Sequence, residues 1–327
     1  MKAGKLKESV LKRSVLKQLH TRNDESIVKP AVGGDYGAVA ISKEQAVVLS
    51  SDPVTLTKDA IGSSAIIAAC NDVACSGAKP VGVSVTMLLP TTFNEEELRD
   101  LMKDMDKACE ECGVDIISGH TEVTRAVKEP VVVVTAMGFV AKNEMVHSSD
   151  VRPGMDIVVT KWVGLEGTAI LAKEREEELR TRYAKPFIDN AKVFGQMMSI
   201  VPEAAVAIKS GASAMHDVSE GGIFGALWEL AESAGVGLEI DLKKIPIRQE
   251  TVEICEFFDL NPYKIVSGGA LLIATEDGNG MVLELEKSGI PATVIGKATD
   301  SNDRVLINED ERRFLETTQT DELYALQ

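Results

Sequence analysis

No cluster of lysine or arginine marks this chain of 327 residues, whose formal net charge is −16. A nucleic-acid binder normally presents a basic face, and none can be assembled here. The densest basic stretch, MKAGKLKESVLKR at the N-terminus, has no aromatic residue in it and reads as a short helix with a solvated face. No apolar run approaches the roughly 20 residues needed to cross a bilayer, and no secretory signal precedes the first strand signals. Five cysteines, an odd number, fit a reduced, cytoplasmic setting better than a disulfide framework. Cys109 and Cys112 form a C-x-x-C near the end of a helical pattern, and no second pair at zinc-site spacing accompanies them.

Two common nucleotide signatures are missing as well. No G-x-G-x-x-G opens a helix after a strand, which leaves a dinucleotide site of that type unsupported. The nearest approach to a Walker loop is PATVIGKA, with Pro291 at the first glycine position and Ala298 after the lysine. No Ser-His-Asp arrangement is suggested, and no cysteine has a basic neighbour that would mark it as a nucleophile. Covalent hydrolytic chemistry fits poorly.

What is present is an ordinary globular balance, 44% apolar and 26% charged. The length exceeds what one core usually supports, so two domains are expected, at 1–150 and 151–327. The first thirty residues read as a helical segment and a polar linker. GAVAI and AVVLSS, joined by SKEQ, suit a hairpin. A helix of small residues is expected at 60–78, a strand at 80–90, a helix at 94–112 with Asn94 as N-cap, and strands at 113–118 and 130–140. From Pro153-Gly154 onward, DIVVT, ASAMHDV, LEIDL, SGGALLIAT, ATVIGKA and RVLI alternate with helical patterns. Both halves are therefore expected to be α/β, with α+β character in the first.

An acidic protein that binds phosphates must neutralise them locally, by metal ions or backbone N–H groups. Asp72 is the candidate that stands out: with Asn71, it interrupts an otherwise small and apolar helix, IIAACNDVAC. A buried carboxylate is costly unless neutralised. An ion pair or backbone N–H bonds would meet that need, and so would a Mg²⁺ ion. Asp35 lies in VGGDYGAV, either a turn residue or a ligand among glycines that let backbone come close. Asp52 is expected at the end of a strand. Asp217, at the end of SAMH, is either a helix N-cap or a ligand, and the N–H groups after it, at Gly221 and Gly222, suit phosphate. In SGHTEVT, His120 and Glu122 flank Thr121 in what reads as a polar loop. His20 and His147 have no constellation around them, and His216 is assigned no role. Mg²⁺ prefers one or two carboxylates with phosphate oxygens and water, so several aspartates imply more than one ion on a triphosphate.

Together these motifs resemble the AIR synthase (PurM-like) superfamily, over nearly the whole chain. GGDYGAV looks like its G-x-D-x-A-V segment and LSSDPVT like its strand-end aspartate. NDVACSGAKP is similar to N-D-[LV]-A-x-x-G-A-x-P, IISGHTEV stands where members have a G-G-[DE]-T loop, and HDVSEGGIFGALWELAESAGVGLEI looks like D-x-[ST]-x-G-G-[LIV] with its helix. GKLK and GLEGTAILA resemble the HypE-like (hydrogenase expression/formation protein-like) branch. The resemblance implies a homodimer, with the N-terminal sheet forming a β-barrel with a second subunit, and a C-terminal α/β domain. It implies ATP and Mg²⁺ as cofactors, and phosphoryl transfer to an oxygen of a small acceptor. On it, Asp35, Asp52, Asp72 and Asp217 become metal ligands, joined by Glu122 or His120. Gly33, Gly34, Asn71, Gly119, Thr121, Gly221 and Gly222 become nucleotide contacts. No catalytic residue is assigned.

The chain also departs from the pattern. His120 replaces the loop acid, and Tyr36 stands where several members have an acid or a small residue. DPVTLTKDAIG replaces the D-G-V-G-T-K run of AIR synthase, and the cysteine or selenocysteine loop of selenophosphate synthetases is absent. The sequence ends DELYALQ, with no cysteine after Cys255, where HypE proteins carry P-R-I-C. These departures keep open a non-catalytic nucleotide-binding role in hydrogenase or metalloenzyme maturation, and a thiamine-monophosphate kinase-like activity.

Overall fold

The computed structural model describes residues 7–20, 22–54, 57, 60–317 and 320–326. Of the motif segments, positions 4–6 of GKLK and positions 55, 56, 58 and 59 lie outside the described residues. Two compact units emerge. One comprises the described residues within Asn23–Lys29 and Asp35–Met145; the other comprises those within Met1–Arg22, Pro30–Gly34 and Val146–Gln327. Each contains one mixed sheet.

Helix α1 (Glu8–Ser14) belongs with the second unit. The first unit's sheet is built from β1 (Ser26–Val28), β2 (Gly37–Ala40), β3 (Gln45–Val54), β4 (Lys79–Leu89), β5 (Asp115–Val123) and β6 (Val131–Ala141), in the order β1-β2-β3-β6-β4-β5. Its pairs are antiparallel except β4 with β5. β1 falls in the stretch expected to be a linker. Helices α2 (Ile61–Cys75) and α3 (Glu95–Cys112) pack on each other, and α2 lies on β3 and β6.

The reasons for these helices are local. Asn94 Oδ1 accepts from the N–H groups of Glu96 and Glu97 at 2.9 and 3.0 Å, and Glu97 Oε2 accepts from Asn94 N at 2.7 Å. That reciprocal capping box starts α3. Gly113, left-handed at φ 68°, ends it. Leu101, Met105, Ala108 and Cys112 form its buried stripe. α3 also caps its neighbour: Asp104 Oδ2 accepts from Ser63 N at 2.7 Å, in the first turn of α2. α2 is buried on most of its circumference, which is why it carries small residues.

Two expectations in this unit are corrected. Asp52 is not at a strand end: β3 runs on to Val54, with Asp52 opposite Val134 and Pro53 opposite Val133, because β6 is long enough to keep pairing. Residues 118–124 are not a free polar loop. β4 continues as a partner to Val123, so Ser118–Val123 pair along one side as the edge strand of the sheet.

The second unit's sheet contains β7 (Asp156–Thr160), β8 (Ala212–Val218), β9 (Gly237–Asp241), β10 (Ala270–Thr275), β11 (Ala292–Thr299), β12 (Arg304–Asn308) and β13 (Glu311–Phe314), ordered β13-β12-β9-β11-β7-β10-β8. Only β12 and β9 are parallel. Every residue of β10 is buried, and successive strand residues point to opposite faces, so both faces of its centre are covered. The helices are α4 (Leu165–Glu174), α5 (Glu176–Leu179), α6 (Lys185–Val193), α7 (Val201–Lys209), α8 (Gly222–Ala234), α9 (Gln249–Phe257) and α10 (Gly278–Lys287). The main core joins Ile223, Leu227 and Leu230 of α8 to Ile157, Val159, Leu272 and Ile240 of the strands. α1 docks here through Lys12 Nζ to Glu232 Oε1 at 2.8 Å and Trp228 Nε1 to Glu8 Oε2 at 3.4 Å. The Arg304 guanidinium and Lys12 ammonium hold the Glu232 carboxyl down at about 2.

Candidate functional site

In the first unit, the strand's two-residue period does the positioning. Ala46, Val48 and Ser50 are buried, and Asp52 shares their parity, so all four side chains leave β3 on one face. Their cross-strand partners include Ala136 and Val134, both buried, on the strand that contacts α2. Gly138 makes the close approach of that helix possible, because a Cβ there would lie 2.6 Å from Val73 Cγ1 and 2.7 Å from Lys79 O.

The outcome is a tight polar cluster beneath the helix. Ser50 Oγ lies 2.9 Å from Asp52 Oδ2 and 2.6 Å from Asp72 Oδ2. Those two distances, added, cap the separation of the two carboxylate oxygens at about 5.5 Å. Both acids are half-buried, and Asn71, next to Asp72 in sequence, is buried. Two ionised carboxylates this close repel, and a cation between them relieves the repulsion. Sequence reading missed Ser50, which sits one residue pair before an acid in a strand and carries no motif signal of its own.

Asp35 lies in the irregular segment leading into β2 and is half-buried. Gly34 is exposed. Gly33 has φ 67°, and a Cβ there would lie 2.3 Å from Glu229 O, so its backbone needs glycine for packing within the second unit. On β5 every residue is exposed. His120 and Glu122 share one face, with His120 Nε2 3.4 Å from Glu122 Oε2, and Gly119 and Thr121 point the other way. Gly119 also serves the ladder, since a Cβ there would meet Val85 O at 2.4 Å.

In the second unit Asp217 is buried within β8, opposite Leu271 of β10. It does not cap α8, whose N-cap is Gly221 in a left-handed conformation. Its neighbour His216, also buried, has Nε2 3.2 Å from Glu229 Oε2. The N–H groups at the start of α8 are not open as expected. Gly221 and Gly222 are buried, and Gly221 N donates to Asp321 Oδ2 at 2.8 Å. The same carboxylate accepts from Leu323 N at 3.0 Å. An anion from the chain's own C-terminal segment thus holds the position a phosphate would want.

A further acid escaped the sequence reading. Glu166 opens α4, and its Oε2 accepts from Gly268 N at 3.2 Å. Burial pushes its carboxyl up to about 7, against the pull of that N–H, with Asp321, Asp217 and Glu220 adding to the rise. Burial likewise pushes Asp321 up to about 6. Glu166 lay within the glycine loop GLEGTA, which was a signal; Asp321 had none.

All five cysteines are free thiols and buried. Cys70 of α2 hydrogen-bonds Cys112 of α3 and is pushed well above the usual thiol range, and burial pushes Cys109 up to about 11. The C-x-x-C is core packing between two helices, unreactive in this state. Among the described residues no single helix is long and apolar enough to cross a membrane.

With two mixed sheets, acids converging under α2 and an acid-lined α8 start, the chain is a two-domain α/β protein of PurM-like fold. It belongs to the AIR synthase-related family: residues 33–140 match the model of the AIR synthase related protein N-terminal domain and residues 152–308 that of the C-terminal domain. Its relatives narrow this further. The putative hydrogenase expression/formation protein MJ0676 of Methanocaldococcus jannaschii is 28% identical, over 93% of this chain and 91% of that protein. The carbamoyl dehydratase HypE of Cupriavidus necator is 27% identical, over 87% of this chain and 79% of that one. Among solved structures, the hydrogenase maturation protein HypE in complex with ATP superposes with a TM-score of 0.73 at 18% identity, covering 98% of this chain and 97% of the other. AaThiL complexed with AMPPCP and TMP gives 0.70 at 18% identity, covering 89% and 92%.

Proposed function

We propose that this protein binds ATP with Mg²⁺ and transfers a phosphoryl group to an oxygen of a small acceptor. The observation that carries the reading is the pairing of Asp52 and Asp72 across one serine hydroxyl. An all-oxygen donor set of this kind suits a hard cation such as Mg²⁺ better than a soft metal. Bound there, the cation would neutralise phosphate charge, the usual contribution of a metal to phosphoryl transfer.

The chain's own residues supply position and charge. Asp52 and Asp72 hold one cation from β3 and α2; the family pattern assigns Asp35 and Asp217 as further metal ligands, since more than one ion is implied, and Glu122 or His120 as another donor on β5. Gly34, Asn71 and Thr121 are the polar or open positions for nucleotide contact, together with Gly119. Gly33, Gly221 and Gly222 reach a nucleotide only through their neighbourhood, since packing already uses them. Residues 1–150 are read as the nucleotide- and metal-binding and dimerisation domain, and 151–327 as its C-terminal companion. No protein nucleophile is required.

Asp72→Asn keeps the side-chain volume while removing the charge. It should abolish Mg-ATP binding in calorimetry with thermal stability retained; undiminished affinity refutes the reading. Exposed Ile117, Val123 and Phe139 in strands of the first unit's sheet, with Ile41 in the turn after β2, support a homodimer through that unit. Light scattering at micromolar concentration tests it, and a monomer mass rules it out. Asp321 on the α8 N–H group favours a second reading, a nucleotide-binding accessory in hydrogenase or metalloenzyme maturation that does not turn over. Steady ADP release with any one acceptor, thiamine monophosphate among those tried, removes that reading.

A further inference from the structure

We infer that Ser50 is a positioning residue for divalent-cation binding, an inference that rests on the reading of Asp52 and Asp72 as cation ligands. The hydroxyl has one proton and two acidic neighbours. It can donate to only one carboxylate at a time. The 2.6 Å contact with Asp72 is the shorter and fits the range of a hydroxyl donating to a carboxylate. Asp52, at 2.9 Å, then faces the hydroxyl's lone pairs or takes the proton in turn. The single proton serves one acid at a time and can pass between them, so one small group restrains each carboxylate in turn.

The surroundings make this restraint specific. Ser50 is 7% exposed, between buried Val48 and the half-buried Asp52 on one face of β3. Water therefore has little access to replace the hydroxyl. The backbone on both sides is held: Ser50 pairs with Ala136 and Asp52 with Val134, and Gly138 fixes the depth at which α2 sits. Asp72 arrives from the helix and Asp52 from the strand, so no local turn can orient both. The side chain between them touches both. Alanine at position 50 would leave the fold's apolar contacts intact while removing the hydroxyl that touches both carboxylates.

Groups that orient metal ligands typically contribute 10–100-fold to affinity. The test is a Mn²⁺ titration of the full chain, read as free Mn²⁺ by electron paramagnetic resonance, with thermal melts alongside. Ser50→Ala should weaken Mn²⁺ binding about 10–100-fold at an essentially unchanged melting temperature. Ser50→Thr, which restores a hydroxyl, should recover most of the affinity, a rescue that a purely structural role would not produce. Should the alanine variant fail to fold, Ser50→Cys replaces it: similar in size but a weak donor, it should bind about tenfold more weakly. Wild-type affinity in folded Ser50→Ala or Ser50→Cys, with Asp72→Asn unable to bind, overturns the role of Ser50 alone. Failure of the wild-type chain to bind Mn²⁺ overturns the cation reading itself.

Discussion

Replacing Glu166 by glutamine should make the protein more stable above neutral pH and flatten its pH dependence. In the folded protein the carboxyl titrates near 7, against an ordinary value of 4.5, chiefly because burial disfavours its charge. A raised acid pKa means that the folded state holds a proton the unfolded chain has released. The benefit of the neutral group is therefore complete below pH 4.5 and is lost as pH rises towards 7. At 1.36 kcal/mol per unit, the full displacement is worth about 3 kcal/mol. Part of the Glu166 residue reaches solvent, which trims the expected effect to about 1–2 kcal/mol. Glutamine keeps an acceptor for Gly268 N and cannot ionise. In thermal melts from pH 5 to 8.5 without divalent cations, the variant should gain roughly 2–8 °C on wild type at the alkaline end and almost nothing near pH 5. Asp217, Glu220 and Asp321 are present in both proteins, so their own titration largely cancels in the difference. Parallel melting curves across that range, or a variant less stable at pH 8, would refute the burial argument.

Three further outcomes follow from single contacts. Asn94→Ala removes the acceptor for two N–H groups at the start of α3 and should cost about 1 kcal/mol in chemical denaturation, with no effect on Mn²⁺ affinity. Gly33→Ala places a methyl group on a left-handed residue against Glu229 O and should cost more than about 2 kcal/mol, read as a fall in denaturation midpoint. Asp321→Ala strips the acceptor from Gly221 N and Leu323 N, and should speed hydrogen exchange at the first turn of α8 and protease cleavage of the C-terminal segment.

Much of the architecture was legible because its causes are local. Helix α3 announces itself through Asn94, Glu97, a 3.6-residue apolar stripe and Gly113, all within one stretch of chain. The hairpin of β2 and β3 and the buried runs of β7 and β10 follow from short apolar segments bounded by polar turns. Asp72 was conspicuous for the same reason: a charge in a small-residue helix is costly wherever the helix goes. The strand ends were harder to read. Nothing in DPV announces that β3 continues, because the reason lies across the sheet, in the length of β6. Likewise SGHTEV is polar enough to be a loop and becomes strand only because β4 offers it a partner.

By itself, the sequence determined two α/β units and the motif pattern of the family. Tertiary structure alone decided which of the motif acids meet. Ser50 and Asp72 are joined by a sheet–helix packing that depends on Gly138, a residue in neither motif. Asp321 reaches Gly221 from a hundred residues away, and α1 rests on α8 through Lys12 and Glu232. Hydrophobic periodicity is set by neighbours in the chain, whereas electrostatic partners are set by neighbours in space, and only folding turns the first into the second.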